Sequence, residues 1–277
     1  MKYLYTNGCS FVAGDGGSDE DTRNRIDNGL TASALIAKKL NCEFYTDARG
    51  GSGNGRIRRK TMDWLLTNED KWNDLIVLIG WSQFTRFEMY NNIDRKYEQL
   101  NIAGLLTISG RRFPYLPRTK WSRTIRQNIK NFTEGHFVDD FGGMFPMGAG
   151  YPDEFWKVYL TYFYNFNHKY GKYLNDILFL QLFLESNNIK YVFWDSLWSL
   201  LDKQTENFRN KNQKTFDKIN LQNWVLDETY HSWSSYLDKV DPLHKKTSYK
   251  PYDDHPNDYG HEVWSKEVYK KIEELYL

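Results

Sequence analysis

The chain has 277 residues, with 37 Lys and Arg against 36 Asp and Glu, a formal net charge of +1. Such a balance supplies no global field for a nucleic acid or an anionic membrane surface. No window approaches the roughly 20 apolar residues that a membrane-spanning helix needs.

The length suits one large α/β domain with insertions, residues 1–277 as a single unit. Aromatic residues make up 17%, including 10 Trp and 20 Tyr. Amphipathic rings in that number serve either an aromatic-rich core or a recognition groove. The two cysteines, Cys9 and Cys42, each border an expected sheet element and are read as reduced. The chain opens directly on a strand pattern with no leader-like apolar region, so the expected compartment is the cytoplasm.

Residues 2–8 pair aromatic, aliphatic and β-branched side chains and stop at Asn7-Gly8, the pattern of a short strand ending in a tight turn. Ser10 follows at once. Residues 14–28 are polar and glycine-rich and read as a surface loop; their acidic residues lack the spacing of a calcium loop. Residues 30–40 carry apolar side chains at helical spacing. Residues 42–45 read as a strand. A glycine-rich run, Gly50-Gly51-Ser52-Gly53-Asn54, then opens a helix expected over 57–66.

Residues 74–80 form a continuous apolar run, as in a parallel strand buried on both faces, and lead into Gly80-Trp81-Ser82-Gln83. Residues 84–150 break the β-loop-α rhythm and read as an insertion. Residues 155–185 read as mostly helical, 189–195 as a strand, and 203–250 as a second irregular insertion. The last helix is expected over 259–276, with Val263, Trp264, Val268, Ile272 and Leu275 on one stripe. Alternating strands and helices of this kind imply an α/β fold with a doubly wound parallel sheet.

Four short stretches fall at strand ends or helix starts. They are Gly8-Cys9-Ser10, Gly50-Gly51-Ser52-Gly53-Asn54, Gly80-Trp81-Ser82-Gln83 and Asp253-Asp254-His255-Pro256-Asn257. In this order they resemble the four sequence blocks of the SGNH (GDSL-like) hydrolases. The resemblance implies a three-layer α/β/α sandwich with a flavodoxin-like parallel sheet and two insertions. It implies catalysis by Ser10 as nucleophile, His255 as base and Asp253 as the carboxylate behind it. The oxyanion hole would be built from Ser10, Gly51 (with Gly53 as competitor) and Ser82, and no metal or cofactor is implied.

The chain departs from the family pattern at three places. Cys9 stands where the first block usually has Asp. Tyr252 occupies the position three before His255, so Asp253 takes the carboxylate role at Asp-x-His spacing; Asp258 and His261 have the common spacing and rank second. Ser82 stands where the third block has Asn, with Gln83 next to it.

The residue chemistry agrees with that implication. A serine hydroxyl needs a base to attack an ester, and the imidazole needs a carboxylate to fix its tautomer. Each block also has an ordinary reading: Asn257 and Asp253 as turn and capping residues, and the glycine run as a helix-start turn. The expected activity is a serine esterase acting on a small acyl ester, plausibly O-acetyl groups on a carbohydrate. Trp81 and Gln83 are candidate substrate contacts, with Trp121, Trp156 and Tyr115 as candidate sugar platforms. An acyltransferase with the same triad, or a non-catalytic glycan-binding protein on the same scaffold, are the alternatives.

Overall fold

The computed structural model of the chain describes residues 1–15, 29–91, 96–101, 165–243, 245–248 and 255–277. Asp253, Trp121, Trp156 and Tyr115 lie outside the described residues, as does most of the 84–150 segment.

Four strands make one parallel sheet: β1 (Tyr3–Gly8), β2 (Glu43–Thr46), β3 (Leu75–Trp81) and, completing it, β6 (Lys190–Asp195). Their order is β2-β1-β3-β6. Strands β4 (Arg86–Asn91) and β5 (Lys96–Asn101) pair antiparallel as a separate hairpin.

Period-2 alternation decides what each face of the sheet buries. Leu4, Ile76, Leu78, Val192 and Trp194 face one core, shared with Phe11, Ile36, Trp264 and Val268. Tyr5, Val77, Ile79, Tyr191 and Phe193 face the other, shared with Ile57, Leu65, Leu174 and Ile177. The first face is covered by helices α2 (Ala32–Leu40) and α8 (Asp258–Tyr276). The second is covered by α3 (Asn54–Thr67) and α4 (Phe166–Ser186). The result is a three-layer α/β/α sandwich. Burying each such aliphatic side chain stabilises the fold by about 1.5–3 kcal/mol, which is why β3, buried along its whole length, serves as a central strand.

Within residues 203–250, expected as an insertion, the stretch from Ile219 to Leu237 sends side chains into both cores. Short helices α5 (Glu206–Lys211), α6 (Gln213–Phe216) and α7 (Trp233–Val240) alternate with loops. Trp224 bridges to Phe193 in parallel register and extends the sheet edge by one residue. Ile219 and Trp224 enter the α3/α4 core, whereas Val225, Tyr230, Trp233 and Leu237 enter the α2/α8 core. The aromatic residues of this stretch fill space between irregular turns, so no single period marks them in the sequence. Among the described residues no helix is long and apolar enough to cross a membrane. Both cysteines are free thiols, Cys9 buried and Cys42 half-buried.

Candidate active site

Strands β1 and β3 run in register from Tyr3 against Leu75 to Gly8 against Gly80. Their last residues are paired glycines for a steric reason. A β-carbon on Gly8 would lie 2.3 Å from Val12 Cγ2, and one on Gly80 would lie 2.4 Å from the same methyl. Bare backbone at both strand ends lets the one-turn helix α1 (Ser10–Ala13) fold down onto the sheet edge. Ser10 is therefore the first residue of that helix, two past the strand end, and only 5% exposed.

Asn7, the residue before the turn, is fully buried. Its Oδ1 accepts the Gly8 N–H at 2.8 Å, and its Nδ2 donates to the Ile57 carbonyl at 3.0 Å and to Thr61 Oγ1 at 3.1 Å. That side chain ties the strand end to α3.

His255 arrives from the opposite end of the chain, held by a frame built almost wholly from backbone groups. Asp241, at the end of α7, accepts the N–H groups of Lys246 and Thr247 through Oδ2 at 2.6 and 3.0 Å. The 246–248 segment is then gripped by Asn257: its Nδ2 donates to the carbonyls of Lys246 (2.8 Å) and Ser248 (3.1 Å), and its N–H donates to Thr247 at 2.8 Å. Ser248 and Pro256 form an antiparallel bridge. Asn257 also caps α8, its Oδ1 accepting the Gly260 N–H at 3.0 Å. His255 is carried on this clamp with its ring tilted over Phe11 at 5.6 Å between centroids. Its Nε2 lies 3.0 Å from Ser10 Oγ, a hydrogen-bond distance between residues 245 apart in sequence.

His261, the second-ranked histidine, has a different place. It is fully buried in α8. Its Nδ1 accepts the Ala32 N–H at 3.1 Å, satisfying one of the first-turn donors of α2, and its ring meets Trp233 edge-on at 5.1 Å.

The glycine-rich block lies beside Ser10's helix. The Arg49 N–H donates to the Gly8 carbonyl at 3.2 Å, and a β-carbon on Gly50 would lie 1.9 Å from Asp15 Oδ2. Gly51 takes the left-handed conformation at φ 74° with open space around it. Gly53 is the residue preceding α3, which begins three residues earlier than the sequence pattern indicates. A β-carbon there would lie 2.9 Å from the backbone at Arg86 and Phe87, so bare backbone again permits a close approach.

The sequence pattern gave no role to Asn54, yet it joins the second and third blocks. Its Oδ1 accepts the Ser82 N–H at 2.8 Å and its Nδ2 donates to the Ser82 carbonyl at 2.9 Å. The two bonds grip one backbone unit from both sides. With its N–H committed to Asn54, Ser82 has only its hydroxyl to offer a ligand. That Oγ is buried and has no hydrogen-bond partner among the described residues, and the same holds for Gln83 Nε2.

Trp81, expected as a substrate contact, is fully buried. Its ring packs edge-on against Phe193 at 5.6 Å. The alternation of β3 aims it into the α3/α4 core, so both ring faces are enclosed and no sugar platform results. Among the described residues no group of three or more His, Cys, Asp or Glu is placed to hold a metal ion.

No family model matches the chain, and no curated protein matches it. Solved structures do. One is a carbohydrate esterase whose active site displays divergent catalytic and non-catalytic binding functions, at 10% identity and TM-score 0.43 over 99% of this chain and 69% of its own. Another is a member of the lipolytic protein G-D-S-L family from Veillonella parvula DSM 2008, at 10% identity and TM-score 0.39 over 100% of this chain and 98% of its own. A third is the acetyl xylan esterase Est2A from the rumen bacterium Butyrivibrio proteoclasticus, at 12% identity and TM-score 0.44 over 99% of this chain and 64% of its own.

Proposed function

We propose that the chain is a serine esterase of the SGNH type that hydrolyses small acyl esters, with O-acetylated carbohydrate as the substrate class. The observation that carries this reading is the 3.0 Å separation of His255 Nε2 and Ser10 Oγ at the carboxyl edge of a parallel sheet. That edge is where open α/β sheets present their ligand sites.

In this reading His255 Nε2 takes the Ser10 hydroxyl proton as Oγ attacks the acyl carbonyl. The tetrahedral adduct collapses, the alcohol leaves with the proton returned by His255, and the acyl group stays on Ser10. Water then repeats the sequence, with His255 again as base, and releases the acid. Nε2 acts as base only when Nδ1 carries the ring proton, and Asp253, two residues earlier, is the proposed acceptor for that proton. The proposed oxyanion donors are the N–H groups of Ser10 and Gly51 and the hydroxyl of Ser82. A well-placed donor to the oxyanion is worth about 2.7–4 kcal/mol in the transition state.

The test is covalent labelling by a fluorophosphonate, read by mass spectrometry, alongside p-nitrophenyl acetate hydrolysis. The label is expected on Ser10. Ser10→Ala is expected to lose both labelling and at least 10³-fold in kcat, with its melting temperature within about a degree or two of the parent. An alanine variant that still hydrolyses the ester at near the parent rate removes Ser10 as nucleophile.

A further inference from the structure

The placement of His255 against Ser10 runs through a helix that carries neither of them, α7 (Trp233–Val240). Its first turn is tied to the sheet edge, where the Ser234 N–H donates to the Ser196 carbonyl at 3.1 Å, one residue past the end of β6. Trp233, fully buried, touches both sides of the site. It meets Phe11, the neighbour of Ser10, edge-on at 5.5 Å. It also stacks on Trp264 of α8, the helix that follows His255, at 5.4 Å and 11° between planes. One indole thus sets the helix of Ser10 and the helix behind His255 against a common wall.

The far end of α7 reaches the histidine through Asp241. The Asp241 N–H closes the helix on the Leu237 carbonyl at 2.8 Å. Three donors then converge on a single oxygen of its side chain. Oδ2 accepts the N–H groups of Lys246 at 2.6 Å and Thr247 at 3.0 Å, and the Thr247 hydroxyl at 3.2 Å. Hydrogen bonds to an ionised acceptor are the stronger kind. Thr247 and Ser248 are buried, and Ser248 is bridged to Pro256, the residue after His255. The same segment lies hard against the first turn of α8. A β-carbon on Gly260 would lie 2.4 Å from the Thr247 carbonyl oxygen and 2.8 Å from Pro256 Cβ.

We propose that Asp241 is a positioning residue for the Ser10–His255 pair: by holding residues 246–248 through one carboxylate oxygen, it fixes the imidazole at hydrogen-bond distance from Ser10 Oγ. The role rests on the esterase reading of that pair. Displacing a catalytic group by about 1 Å costs about 10²-fold in rate.

The first test is kinetic. Asp241→Ala is expected to lower kcat on p-nitrophenyl acetate about 10²-fold, with KM within about threefold of the parent's. Asp241→Asn keeps an oxygen where Oδ2 stands and is expected to retain most of the parent kcat. An unchanged kcat in Asp241→Ala, or an Asn variant as slow as the Ala variant, overturns the proposal. Should Asp241→Ala fail to fold, Gly260→Ala takes its place. Alanine favours the helix, yet its methyl group displaces the 246–248 segment, so kcat is expected to fall about tenfold or more. An unchanged kcat there overturns the proposal equally.

The second test needs no turnover, so it separates this proposal from the esterase reading. The imidazole nitrogen resonances of His255 are identified by NMR through their loss in His255→Asn. Ser10→Ala is expected to shift them in the parent and to leave them in place in Asp241→Ala, where the hydrogen bond to Ser10 is already lost. A parent that does not hydrolyse the ester removes the esterase reading, and the NMR comparison then decides the role of Asp241 alone. Equal shifts in the two backgrounds overturn it.

Discussion

The two flanks of the sheet's carboxyl edge handle polarity in different ways. On the α2/α8 side, Asp241 and Asn257 bond mainly to backbone groups of residues 246–248 and His261 Nδ1 accepts the Ala32 N–H, although the indole N–H groups of Trp194, Trp233 and Trp264 are buried there without a partner among the described residues. The frame that Asp241 and Asn257 build delivers Ser10 Oγ and His255 Nε2 to one another. On the α3/α4 side, Arg86 Nε and Nη1, Ser82 Oγ and Gln83 Nε2 are buried with no partner among the described residues, and burial pushes the Asp195 carboxyl up to about 8. A satisfied buried hydrogen bond contributes about 1 kcal/mol net, whereas an unsatisfied buried group costs about 1–3 kcal/mol. Both flanks bury donors without a partner among the described residues, but only the α3/α4 side places a guanidinium and a raised carboxyl among them. Four substitutions test that contrast.

The largest effect is expected from separating the two histidines. His255→Asn is expected to lower kcat on p-nitrophenyl acetate at least 10³-fold with little change in melting temperature, since its ring is only half-buried at the edge. His261→Asn is expected to do the reverse. It leaves the Ala32 N–H unsatisfied and removes the ring stacked edge-on against Trp233, at about 1–3 kcal/mol. An inactive, fully stable His261 variant beside an active His255 variant would invert the assignment of the two residues.

The features that carry this contrast were unequally legible in the sequence. The strand Leu75–Trp81 announces itself because burial on both faces demands an unbroken apolar run. The last helix announces itself through its apolar stripe. The proximity of Gly8, the glycine block and His255 is implied by a resemblance in four short blocks, and the distance between Ser10 and His255 is a property of the folded chain alone.

Asn54 was hidden although it stands inside one of those blocks, because its partner, Ser82, is 28 residues away and contributes only backbone atoms. Arg86 was hidden because it falls where the β-loop-α rhythm stops. Trp81 looked like a sugar contact because tryptophan is frequent at such sites; the alternation of its strand decides otherwise. Residues 203–250 read as an insertion because core residues carried on turns, such as Trp224 and Trp233, have no period.

Asn54→Ala probes the bolt between the second and third blocks. It removes two hydrogen bonds and leaves a buried Ser82 N–H unpaired, so a loss of about 2–4 kcal/mol is expected, read as a lowered midpoint in urea. Catalysis should fall with it when assayed well below the unfolding transition, because Ser82 Oγ loses its fixed position. Stability lost with kcat unchanged would show that the third block is scaffold and takes no part in the chemistry.

The last substitution is the most diagnostic of the α3/α4 side. Asp195, at the end of β6, is fully buried, and burial pushes its carboxyl up to about 8. Bonds from the Tyr173 phenol and from the Leu200 N–H (2.9 Å, to Oδ2) oppose that shift and fall short of reversing it. Between the ordinary carboxyl value of about 4 and about 8, the folded protein holds a proton that the unfolded chain has released. Unfolding in that window therefore releases a proton, and stability must fall as pH rises through it, by up to about 1.4 kcal/mol per unit.

Asparagine has the shape of the neutral acid and does not titrate. Its Oδ1 is placed to accept the Leu200 N–H and its Nδ2 to donate to the phenol oxygen. Asp195→Asn is thus expected to gain on the parent steadily as urea midpoints are measured from pH 5 to pH 8. The difference between the two proteins cancels every other titrating group. A constant difference across that range would mean that Asp195 is ionised in the fold and that its two donors outweigh its burial. The α3/α4 side would then hold a stabilised anion at that position.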